Sequence, residues 1–112
     1  MKLVTAVLRP EILAKVREAL CDVDIPGMTV SEVKGFGKQK GHTELYRGTE
    51  FTVEFVPKVK LEIAISKKNL DLLIKTISDI ARSGQKGDGK IFVTDIEKVV
   101  RIRTGETDHD AL

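Results

Sequence analysis

The chain has one cysteine, Cys21, no tryptophan, one tyrosine and three prolines among its 112 residues. A lone thiol cannot close an internal disulfide, and Cys21, beside Leu20 in a helical pattern, reads as a small packed thiol rather than a nucleophile. Long apolar runs are missing as well. Ala6-Val7-Leu8 and Leu72-Leu73-Ile74 fall far short of the roughly 18 residues that cross a bilayer. Arg9 and Pro10 cut the first apolar stretch short and no cleavage-like segment follows, so the expected location is cytoplasmic. Charge of one sign is scarce: 19 Lys and Arg stand against 17 Asp and Glu, a net +2. That is too mild for nucleic-acid binding, which depends on many cations neutralising phosphates. The strand aromatics Phe36 and Phe92 do not form the base-stacking motif of RNA readers. Neither nucleic acid nor direct lipid binding is expected. His42 and His109 lie far apart and one cysteine completes no metal cluster, nor is there a nucleophile elbow, so no catalytic residue is assigned.

What is present is a globular pattern. Hydrophobic residues make up 41% and charged residues 32%, ordinary proportions that exclude disorder for most of the chain. A chain of this mass can bury about two thirds of its unfolded surface, enough for one small domain over residues 1–112. Lys2 to Leu8 reads as a strand with apolar residues at both parities, which asks for cover on both faces. Pro10 suits a first helical turn, and Ile12, Val16, Ala19, Leu20 and Val23 recur at the spacing of one helix face. Met28 to Phe36 is strand-like, and Val59, Leu61, Ile63 and Ile65 alternate with Lys60, Glu62 and Ala64 as a half-buried strand. Ser66 can cap a helix whose face is Leu70, Leu73, Ile74, Ile77 and Ala81, with Gly84 placed to end it. Lys90 to Ile96 and Lys98 to Arg103 again read as strands. The order is that of an α+β, ferredoxin-like βαββαβ sandwich. Strands apolar on both sides predict an oligomer. The connection 37–56, with Gly37, Gly41 and Gly48 among charged and hydroxyl residues, is too long for an ordinary loop and is expected to be a mobile arm.

The cations cluster in two zones, Lys34 to Lys60 and Arg82 to Arg103, which points to a small anion. Gly84-Gln85-Lys86-Gly87-Asp88-Gly89-Lys90 is a glycine-rich turn of the kind whose amides surround phosphate. It matches the first part of a Walker motif, but Ile91 replaces the magnesium-holding hydroxyl and the turn runs from helix into strand. The plainer reading is a helix cap and a tight turn. Arg101 and Arg103, two apart on a strand, would present two guanidinium forks on one side, or simply a solvated face. Lys58, Lys60 and Glu62 share a strand face; an amphipathic strand explains the last two, whereas Pro57 fixes the chain just before Lys58.

Together these stretches resemble the PII nitrogen signal-transduction family: Gly27-Met28-Thr29-Val30, Glu32-Val33-Lys34-Gly35, Gln39 through Gly48, Pro57-Lys58-Val59-Lys60, Gly84 to Phe92 and Val100 to Gly105. The resemblance runs over essentially the whole chain. It implies a homotrimer that binds ATP or ADP between subunits and senses 2-oxoglutarate. It implies that Gly87, Asp88, Gly89 and Lys90 surround the phosphates, that Arg101 and Arg103 reach them, and that Thr29, Gly35, Gly37, Lys38, Glu62 and Ala64 line the rest of the nucleotide site. Gln39 would help hold Mg²⁺, Lys58 would pair with a carboxylate of the effector, and the backbone around Lys40 and Gly41 would join in. The arm, with Tyr46, Arg47, Gly48 and Thr49 at its tip, would dock on a partner: an ammonium transporter, whose membrane would then recruit the protein reversibly, or a nitrogen-assimilation enzyme such as glutamine synthetase or N-acetylglutamate kinase. Phe51 stands where many bacterial members carry a modified tyrosine, and Thr49 where some carry a phosphorylated serine, so regulation by ligands alone is expected. Lys38 and Ser83 replace a common arginine and threonine. Two other classes remain beside the sensor, a small nucleotide-hydrolysing enzyme built on the glycine turn and a module that only assembles with other proteins.

Overall fold

The computed structural model describes residues 1–23, 25, 27–36 and 55–112. Strand β1 (Lys2–Leu8) leads through a single 3-10 turn at Pro10–Ile12 into helix α1 (Leu13–Cys21). Strands β2 (Thr29–Gly35) and β3 (Val56–Ile65) follow, then a 3-10 turn at Lys67–Asn69, helix α2 (Leu70–Ala81) and strand β4 (Lys90–Asp95). The sheet order is β2-β3-β1-β4 with every neighbouring pair antiparallel. This is the ferredoxin-like arrangement expected from the sequence, with β3 and β1 at the centre.

Strand periodicity decides what is buried. Val4, Ala6 and Leu8 of β1 and Val59, Leu61, Ile63 and Ile65 of β3 form the core with Val16 and Leu20 of α1 and Leu73, Ile77 and Ala81 of α2. Each large aliphatic side chain so buried stabilises the fold by about 1.5–3 kcal/mol relative to exposure. Residues of the other parity lie on the opposite sheet face. Leu3 pairs with Ala64, and Thr5 with both Glu62 and Phe92. That face is only partly covered, and Phe92 remains 52% exposed. Pro57 is tolerated inside β3 because β1 ends opposite Val59, leaving β2 as the only strand neighbour at that level among the described residues.

Four local expectations differ from the structure. Cys21 is exposed at the last turn of α1 rather than packed, since the core-facing positions there are Val16 and Leu20. Ser66 makes no capping bond, and its buried hydroxyl has no partner among the described residues. Helix α2 ends at Ala81, where Arg82 turns extended, before Gly84 is reached. Lys98 to Arg103 is not a strand: Val100 forms an isolated bridge with Thr107, and residues 102–104 turn. The arm at 37–56 falls outside the described residues except for its end, where Phe55 precedes Val56, the first residue of β3.

Candidate anion-binding site

The glycine turn is built between the end of α2 and the start of β4, and one carboxylate organises it. Asp88 accepts the Ser83 amide at 2.8 Å, the Ser83 hydroxyl at 2.5 Å and the Gly84 amide at 2.9 Å. Arg9, just beyond β1, places Nη2 3.2 Å from Asp88 Oδ1. The Ser83 hydroxyl first, then the Ser83 amide, hold the Asp88 carboxyl below its ordinary value against a modest desolvation penalty; the Gly84 amide and the Arg9 charge act in the same direction. Gly89 has φ of +102°, and a Cβ there would lie 1.8 Å from the Val7 carbonyl oxygen. Backbone packs on backbone at this point, so the turn is seated directly on β1.

From the other side, Lys58 Nζ donates to the Gly87 carbonyl at 2.8 Å. Two stretches far apart in sequence thereby meet at one place. Beyond them opens a cleft of about 830 Å³. Among the described residues four cationic side chains, Arg9, Lys58, Lys86 and Lys90, line it together with Gly87, Gly89 and the rings of Phe36 and Phe92, and Glu11 is the one carboxylate in its wall. Phe36 also meets Phe55 edge to face, with centroids 5.4 Å apart, which joins the end of β2 to the residue before β3. Behind the turn is a smaller hollow of about 280 Å³, walled by Leu8, Ile77 and Ile91, and it is this one that Asp88 lines. The donor chemistry of the larger cleft, ammonium and guanidinium groups around a glycine turn, suits an anion carrying several oxygens. Among the described residues no group of three or more His, Cys, Asp or Glu could hold a metal ion.

Of the residues singled out by sequence, Gly35, Lys58, Gly87, Gly89 and Lys90 line the cleft, and Asp88 braces it from behind. Thr29 and Glu62 face each other across β2 and β3 on the open side of the sheet, with Ala64 further along, and none of the three lines the cleft. Arg101 and Arg103 are not side by side on a strand. Arg101 Nη1 lies 2.9 Å from Glu106, and Nη2 reaches the carbonyls of Ala111 at 3.4 Å and Leu112 at 3.3 Å. Gly37, Lys38, Gln39, Lys40, Gly41, Tyr46, Arg47, Gly48, Thr49 and Phe51 lie outside the described residues. Sequence reasoning missed Arg9, which it treated only as the break in an apolar run; its position one residue past β1 was the available signal.

A ferredoxin-like domain whose glycine turn and strand lysine frame a cationic cleft, with no catalytic grouping assigned in it, is the class that fold and site define. Comparison with known proteins narrows the class. The family described as "Nitrogen regulatory protein P-II" matches residues 1–106. The chain is 56% identical, over all 112 residues of both proteins, to the nitrogen regulatory protein P-II of Pasteurella multocida. It is equally similar, over the full length of each, to the Rhizobium etli protein of the same name and to the nitrogen regulatory protein GlnK of Escherichia coli K12. The chain belongs to the nitrogen regulatory protein P-II family, whose members are regulators rather than enzymes. No helix among the described residues is long and apolar enough to cross a membrane.

Proposed function

We propose that this protein reports nitrogen status by binding ATP or ADP together with 2-oxoglutarate and passing the result to a partner through the connection 37–56. The observation that carries the reading is the contact of Lys58 with the glycine turn, which sets a strand ammonium beside amides and Lys90 in one cationic cleft. Nucleotide phosphates fit the Gly87 to Lys90 side of that cleft, and the dicarboxylate fits beside Lys58. Mg²⁺, held through Gln39 and the bound anions, would offset the repulsion between phosphates and effector. Arg101 and Arg103 do not line the cleft within the chain, so their part in phosphate binding requires a neighbouring subunit, in keeping with a homotrimer closed over the open sheet face. Thr29, Glu62 and Ala64 sit on that face and would line the rest of the nucleotide site there. The partner is an ammonium transporter or an enzyme of nitrogen assimilation, approached from the cytoplasm.

Calorimetric titration of 2-oxoglutarate into the protein with Mg-ATP, with ADP and without nucleotide tests the reading. Binding only in the presence of Mg-ATP is expected, and it would express a coupling free energy between the two ligands. Nucleotide binding without any response to 2-oxoglutarate would reduce the protein to an ATP/ADP sensor, and binding of neither would sink the proposal.

A further inference from the structure

Asp88 poses an electrostatic problem for a phosphate-binding turn. It lies between Gly87 and Gly89, both in the wall of the cationic cleft, yet Asp88 itself is absent from that wall and borders the smaller hollow, together with Gly89 and Lys90. Three of its hydrogen bonds come from neutral donors within the turn, the Ser83 amide and hydroxyl and the Gly84 amide. These orient the carboxylate but leave a full negative charge in place. Among the described residues the only cation paired with it is Arg9, which arrives from a different element, the end of β1. Arg9 is itself constrained. Among the described residues its side chain is 28% exposed, its Nε is buried without a hydrogen-bond partner, and the alternative carboxylate, Glu11, stands 3.9 Å away against 3.2 Å for Asp88.

We propose that Arg9 is a positioning residue for the anion site: by pairing with Asp88 it cancels that charge and keeps it behind the turn, leaving Gly87, Gly89 and Lys90 to face the cleft. This rests on the reading of the cleft as a nucleotide site. Arg9 also borders the cleft; on this proposal it acts through Asp88, and direct contact with the ligand is the rival outcome that the test separates. Its removal therefore weakens binding in proportion to the ligand's charge and spares binding of an uncharged nucleoside.

The test is a thermodynamic cycle on the full-length protein. Arg9→Met is expected to weaken ATP binding on the order of tenfold, ADP less, and adenosine hardly at all, because an uncompensated carboxylate repels each added phosphate charge. The loss should vanish in the Asp88→Asn background. Arg9→Lys, which keeps the charge without the fork, should retain ATP affinity within about threefold. An equal loss for ATP with Asn at position 88, or an equal loss for adenosine, would overturn the proposal in favour of direct contact or general damage. A second readout needs no ligand: amide exchange at Ser83 and Gly84 should quicken in Arg9→Met while the β1 and β3 amides hold. Unchanged exchange at Ser83 and Gly84 would refute the positioning role. If the parent protein bound no ATP, the nucleotide reading would fall, whereas the exchange measurement would still decide whether Arg9 holds the turn.

Discussion

Two turns of this molecule spend an acidic side chain on shaping backbone, and they differ in what the acid leaves behind. At the glycine turn Asp88 collects donors from the turn itself and from Arg9 at the end of β1, and Lys58 of β3 holds Gly87. At the C-terminal turn the contacts are local: Asp108 accepts the Val99 amide, and Glu106 engages both Arg101 and Thr104. The first turn is tied to the sheet and leaves its cations facing a cleft. The second consumes its arginine internally. A charged motif thus supports ligand binding only after its internal partners have been counted, and a local brace and a long-range brace predict opposite sensitivities to mutation.

The largest expected effect probes how each turn is seated. Gly89→Ala would drive a Cβ to 1.8 Å from the Val7 carbonyl oxygen in a left-handed conformation, and urea denaturation should show a loss of about 3 kcal/mol or more. Gly105→Ala, at φ of +76° with nothing within 4 Å, carries only the conformational penalty of about 1–2 kcal/mol. Equal losses at the two sites would erase the contrast between a turn packed on the sheet and one that stands clear of it.

Next in size is Lys58→Met, which removes a charged hydrogen bond to Gly87 worth roughly 1.5–3 kcal/mol. The thermal midpoint should fall by roughly 5–15 °C, and 2-oxoglutarate titration in the presence of Mg-ATP should lose its signal. Retained effector binding would detach Lys58 from the anion site. A smaller effect is confined to acid. Asp88 has a folded-state value below its ordinary 3.8, so its contribution to the turn is fully present above about 3.8 and is lost as pH falls through the lower folded value. Protection of the Ser83 and Gly84 amides, taken relative to the intrinsic exchange rate at each pH, should hold at pH 5 and fall only in stronger acid. A fall in protection near neutrality would point to a different group.

The regular elements were legible because their burial is periodic: alternation in Val59 to Ile65 and the spacing of Leu73, Ile77 and Ala81 leave few other ways to bury them. The glycine turn was legible as a turn and as a cationic place. Arg9 was not, since its partner is remote in sequence and its one local mark, a place one residue past β1, says nothing of Asp88. Arg101 and Arg103 misled for the reverse reason. Their alternation with Val100 and Ile102 imitates a strand, but among the described residues Ile102 is 97% exposed, while Gly105 closes back on Arg101 at 2.8 Å. Alternation predicts a strand only where a neighbour exists to pair with it, and β4 has already ended at Asp95.

The smallest expected effect therefore concerns Glu106. Its pairing with Arg101 is a surface contact, with side chains 43% and 37% exposed, and such pairs contribute about 0–1 kcal/mol. Glu106→Gln should lower the thermal midpoint by no more than about 5 °C. If Arg101 does serve phosphate in a neighbouring subunit, freeing its guanidinium from Glu106 should tighten ATP binding by up to about threefold, since the ligand no longer competes with an internal carboxylate. The carbonyls of Ala111 and Leu112 would still hold the second nitrogen, which keeps the gain small. Weaker ATP binding in Glu106→Gln would mean that the carboxylate orients Arg101 toward its ligand instead of occupying it, and the C-terminal turn would then work as the glycine turn does.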